Sequence, residues 1–101
     1  MSDVMELLEE RQGQKSDEQF ANEIGLRGST LWRYKNRQSD INTKARELMI
    51  RYFSERQDSV MVGALLVYKT GSKFSRQELD ELGRYFLQKR PVNNMALASS
   101  I

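Results

Sequence analysis

The sequence predicts an all-α chain of about six helices, and three observations carry that expectation. Apolar residues recur at spacings of three and four over most of the length, the period of helices with one buried face. Proline, which would break such helices, occurs once, at Pro91. Residues that cap or stop helices sit at the edges of the periodic stretches. At 101 residues, 39% hydrophobic and 30% charged, the chain has the size of one domain with one modest core, and is too apolar for a disordered one.

The first helix is expected over about residues 3–12, with Val4, Leu7, Leu8 and Arg11 on one face and Gly13 as its stop. Ser16 and Gln19 have the spacing of a reciprocal capping pair and open the second. Its inner face is Phe20, Ala21 and Ile24, and Gly25 stands where a left-handed turn needs a residue without Cβ. A third helix runs from Gly28 or Ser29 to about Asn36, followed by a loop over residues 37–40. The fourth, about 42–56, repeats apolar residues at Ala45, Leu48, Met49, Tyr52 and Phe53.

The fifth, about 60–69, is capped by Asp58 or Ser59 and ended by Gly71. Val60, Val62, Val67 and Tyr68 would also suit a strand, but no second segment exists to pair with it. Ser75 and Glu78 form another capping pair, flanked by Phe74 and Leu79 as a hydrophobic staple, and open a sixth helix reaching about Lys89. The pattern divides the chain into a unit over residues 1–57, a helical hairpin over 58–90, and a flexible or partner-docked tail over 91–101.

Composition narrows the function. With no Cys and no His, disulfides, thiolate metal sites and the usual general base and nucleophile are missing. The acidic pairs Glu9/Glu10, Asp17/Glu18 and Asp80/Glu81 are sequence neighbours, so they diverge around a helix and make poor acid/base partners. An enzyme is therefore the least expected class, and no cofactor is implied. The acidic, amphipathic N-terminus does not read as a signal peptide, and the near-apolar run at 60–68 is too short for a bilayer. A cytoplasmic protein is expected.

Net charge is +2, but it is unevenly spread. Residues 1–26 carry two basic and seven acidic side chains, whereas residues 27–56 carry eight basic and three acidic. Between Arg27 and Arg37 four cations occur without an acid, interleaved with Trp32 and Tyr34. Alone such a stripe is usually a solvated helix face. Combined with the motif around it, it suggests a surface for phosphate.

That motif is residues 17–36, D-E-Q-F-A-N-E-I-G-L-R-G-S-T-L-W-R-Y-K-N. Two short helices crossing steeply at a tight turn need a small residue at the crossing (Ala21) and a turn glycine (Gly25). They also need apolar residues at Phe20, Ile24, Leu26 and Leu31, with Tyr34 one turn further on. The stretch resembles the helix-turn-helix of the lambda-repressor and Cro family, also called the xenobiotic-response-element type. The resemblance covers residues 3–56 and implies a five-helix DNA-binding domain, here with an additional C-terminal helix.

The resemblance further implies that helix 28–36 enters the major groove of double-stranded DNA. It puts base edges within reach of Arg27, Ser29, Thr30 and Arg33, with Trp32 pointing outward beside them. Arg33 is the strongest candidate, since a guanidinium pairs bidentately with guanine. Gly28, Lys35, Asn36 and Arg37 fall where the family meets the sugar–phosphate backbone. One departure stands out. The family often opens the motif with Gln, and here the position is Asp17, followed by Glu18, both repelling phosphate at close range. Either this end stands away from the DNA or binding is unusually salt-sensitive.

A single reading head sees a half-site of about four or five base pairs, too few for genomic specificity. The apolar residues of 58–90 (among them Val60, Met61, Leu65, Leu66, Leu82, Phe86 and Leu87) are therefore expected either to extend the core or to form an isologous homodimer interface. The expected function is a sequence-specific transcriptional regulator, a repressor of bacterial or phage type. The alternative is an antitoxin or protein-interaction adaptor that keeps the fold and engages a toxin or other regulator.

Overall fold

The computed structural model describes residues 3–70 and 73–89. The expected helix stop at Gly71 and the tail at 91–101 lie outside the described residues. Six helices follow one another: α1 (Val4–Gln12), α2 (Asp17–Ile24), α3 (Gly28–Lys35), α4 (Thr43–Glu55), α5 (Ser59–Leu66) and α6 (Arg76–Lys89). No strand occurs among the described residues, so the all-α expectation holds.

Local chemistry explains the boundaries. The side chains of Asp3, Ser16, Asn42 and Asp58 accept from the N–H groups of Glu6, Gln19, Ala45 and Met61, each three residues on. At α6 the capping box is complete: Ser75 Oγ accepts from the Glu78 N–H (3.1 Å) and Glu78 Oε1 accepts from the Ser75 N–H (2.8 Å). Three helices end by the same device, in which an N–H reaches back five residues past a left-handed residue. Leu26 N–H reaches Ala21 O past Gly25, Gln38 N–H reaches Arg33 O past Arg37, and Asp58 N–H reaches Phe53 O past Gln57. Only the first of these left-handed positions is a glycine.

One core unites the six helices among the described residues, centred on Leu7, Leu8, Phe20, Leu31, Ile41, Met49, Met61, Leu65 and Leu79. Phe20, Tyr52 and Phe53 meet edge to face with centroids 4.9–6.5 Å apart, pairings worth about 0.5–1.5 kcal/mol each beyond their burial. α5 packs on α1, α4 and α6, and its residues Met61, Val62, Gly63, Ala64 and Leu65 are all buried. This explains why its pattern is apolar on every side rather than striped. α5 stops at Leu66, three residues short of the expected end, with Val67 as its C-cap.

α5 and α6 form an antiparallel hairpin in near backbone contact. A Cβ on Gly63 would overlap the carbonyl of Leu79, and one on Gly83 would overlap that of Ser59. Long-range polar ties fix the hairpin to the rest. Arg11 makes a two-point ion pair with Asp58 (Nε to Oδ2 2.6 Å, Nη2 to Oδ1 3.2 Å), joining α1 to the cap of α5. Arg46 donates to the Leu65 carbonyl at 3.0 Å, and Arg76 pairs with Glu10. Of the two fates expected for the apolar residues of 58–90, α5 takes the first and extends the core.

Candidate nucleic-acid interface

The candidate interface is built from α2, the turn and α3. Ser16 starts α2 and Gly25 (φ 105°) stops it, with the N–H groups of Gly25 and Leu26 both donating to Ala21 O at 2.9 and 2.8 Å. Ala21 is fully buried at the crossing. Gly28 has its own local reason: a Cβ there would lie 3.0 Å from Glu18 Cα, so α3 sits against the backbone at the start of α2. It is half-buried and also lines the open cleft beside Arg27 and Ser29, so this packing constraint stands beside the place expected for it at the sugar–phosphate backbone.

α3 turns Leu31 and Tyr34 into the core. Its other face is exposed: Arg27, Ser29, Trp32 and Arg33 are open to solvent and Thr30 is half-buried. Trp32 keeps 45% of its surface exposed, an unusual state for the largest apolar side chain. Among the described residues, no ion pair engages Arg27 or Arg33. Arg27 is the N-cap of α3 but gives it no side-chain hydrogen bond, unlike the caps of the other helices. The first N–H groups of α3 are thus left to solvent or to an anion. All five expected base readers therefore lie together on or beside one helix face.

The residues expected at the phosphates fare differently. Lys35 is drawn inward, its side chain only 15% exposed, with Nζ 2.5 Å from Asp17 Oδ1 and 2.7 Å from Gln12 Oε1. The buried Gln12 completes the knot by donating to Asp17 Oδ1 (2.8 Å) and to the Lys15 carbonyl (2.7 Å). The bonds from Lys35 and then Gln12 hold the Asp17 carboxyl below its ordinary range. Lys35 therefore fastens α3 to α1 and α2 rather than standing free for phosphate, and it offsets the charge of Asp17. Glu18 has no ion pair among the described residues and stays exposed. Asn36 is exposed and its amide donates to the Trp32 carbonyl at 2.9 Å. Arg37 is exposed, left-handed (φ 58°), and paired loosely with Asp3 at 3.2 Å.

Between the starts of α2 and α3 lies a shallow cleft of about 710 Å³, walled by Glu18 and Asn22 on one side and Arg27, Ser29 and Trp32 on the other. Its rim carries both signs of charge. Among the described residues no cluster of three or more acidic side chains could hold a metal, and no helix is long and apolar enough to cross a membrane.

Sequence reasoning missed the Gln12–Asp17–Lys35 knot and the Arg11–Asp58 pair. The second left a trace, since Arg11 occupies an inward position three and four residues beyond Leu8 and Leu7. The chain matches no protein-family model, no curated protein and no solved structure.

Proposed function

We propose that this protein is a sequence-specific regulator of transcription that lays α3 in the major groove of double-stranded DNA. The lambda-repressor and Cro type of helix-turn-helix is the family reading we favour, with the protein acting as a cytoplasmic homodimeric repressor. One observation carries the proposal. Arg27, Ser29, Trp32 and Arg33 are exposed, and Thr30 half-buried, on or beside one face of a short helix whose inward side is locked by Leu31 and Tyr34. Guanidinium and hydroxyl groups are the chemistry that reads base edges, and a helix of this width fits the major groove.

The knot at Lys35 supports the proposal indirectly. It offsets the charge of Asp17, the residue that would otherwise repel phosphate, leaving Glu18 as the exposed carboxylate on this side. Glu18 is the observation that favours the second reading, an antitoxin or adaptor whose α3 face meets protein.

Selection from a random duplex library decides between the two, followed by anisotropy titrations of the enriched duplex over a salt series. The proposal expects a near-palindromic site whose affinity falls steeply with salt, by roughly one power of concentration per phosphate neutralised. Failure to enrich any sequence, with weak binding even at low salt, would transfer the α3 face to a protein partner.

A further inference from the structure

The outer side of α6 carries a pattern left unused within the described chain. Leu79 and Gly83 face α5, whereas Phe74, Glu78, Glu81, Leu82 and Tyr85 line a shallow groove of about 290 Å³ on the other side. Tyr85 is 63% exposed and Leu82 37%, and among the described residues these and Trp32 are the large hydrophobic side chains left at the surface. Lys89 belongs to the same stripe, its Nζ lying 5.4 Å from the centre of the Tyr85 ring. Along the helix the stripe reads Glu78, Leu82, Tyr85, Lys89: acid, apolar, apolar, base.

This order is self-complementary. A two-fold axis midway between Leu82 and Tyr85 exchanges position 78 with 89 and position 82 with 85. Two antiparallel copies of α6 then set Glu78 against Lys89 of the second copy and Leu82 against its Tyr85, each pairing occurring twice. A parallel arrangement would oppose like charges at both ends. We propose that the α6 stripe is the docking surface for a second copy of this chain, and that the dimer is made by α6 alone, with α5 committed to the core. The inference deepens the homodimer part of the reading above. Its test contains no DNA, so its failure and the failure of DNA binding are separate results.

Sedimentation equilibrium of the full chain, from low to high micromolar concentration, provides the test, with circular dichroism as the check of folding. The wild type is expected to form a reversible dimer. Glu78→Lys and Lys89→Glu should each weaken it roughly tenfold, because each reverses both symmetric charge pairs. An equimolar mixture of these two variants should regain wild-type strength as a heterodimer, since both its pairs are again complementary. Leu82→Ser with Tyr85→Ser should abolish association while leaving helicity intact. Glu78 also accepts the Ser75 N–H in the capping box, so Glu78→Gln, which can keep that bond, provides a charge-loss variant with a smaller weakening. The inference is overturned if the wild type stays monomeric throughout, leaving the stripe to a different protein. It is equally overturned if the single reversals associate like wild type, or if mixing them gains nothing.

Discussion

Two helix pairs, α2–α3 and α5–α6, place a glycine where the helices approach. In the first pair a Cβ on Gly28 would sit 3.0 Å from Glu18 Cα, tight but not overlapping. In the second, Cβ atoms on Gly63 and Gly83 would fall inside the backbones of Leu79 and Ser59. The pairs also differ in what they bury. α3 commits Leu31 and Tyr34 to the core, ties Lys35 to Asp17 and Gln12, and leaves Ser29, Trp32 and Arg33 exposed, whereas α5 buries five consecutive residues. The difference separates two tasks. The α2–α3 pair keeps Ser29, Trp32 and Arg33 at the surface, and the α5–α6 pair brings two backbones so close that neither glycine has room for a Cβ.

The largest expected effect breaks the hairpin. Gly83→Ala should cost about 3 kcal/mol or more in urea unfolding, because two backbones must separate to admit one methyl group. Gly28→Ala should cost only about 1 kcal/mol, since the Glu18 backbone need give by a few tenths of an ångström and alanine gains helix propensity. Equal costs at the two sites would erase the contrast between the pairs.

Both pairs are bordered by a left-handed residue that is not glycine: Arg37 closes α3, and Gln57 precedes the cap of α5. Arg37→Gly should raise stability by about 0.5–1 kcal/mol, as should Gln57→Gly, by relieving the Cβ conflict. Loss of the exposed Arg37–Asp3 pair subtracts little from that gain. Thermal unfolding of both variants checks this. If α3 lies on DNA as proposed, Arg37→Gly alone should weaken that binding as well, because it removes an exposed cation just beyond α3.

The smallest effect is acid sensitivity. Lys35 and Gln12 hold the Asp17 carboxyl below its ordinary value of 3.8, and the Ser59 hydroxyl with Arg84 does the same for Asp80. A carboxyl depressed in the folded state stabilises fully above its unfolded pKa, and that contribution disappears as pH falls through the folded value. Melting temperatures should therefore drop below about pH 4, and Asp17→Asn or Asp80→Asn should each flatten that acid limb slightly. A steepening would mean that the carboxylates are destabilised by folding.

The helices were legible in the sequence because their signals are local. The Ser16 cap, the Ser75/Glu78 box and Gly25 each act within a few residues and appear as expected. The exposed face of α3 was legible for the same reason, since Leu31 and Tyr34 fix which side is inward. What escaped depends on distant partners. Nothing around Gly63 announces Gly83, and Asp58 is 47 positions from Arg11. Lys35 misled because its place at the end of α3 suggests solvent, while its long side chain reaches back to Asp17 and Gln12.

The most direct test of the central claim is the base preference of Arg33→Ala, selected from random duplexes in parallel with wild type. If α3 reads the major groove, the variant should lose discrimination at one position of each half-site, by about 1–3 kcal/mol, with an unchanged melting temperature. Retention of the full wild-type preference by Arg33→Ala would contradict the account and take the reading function away from this face of α3.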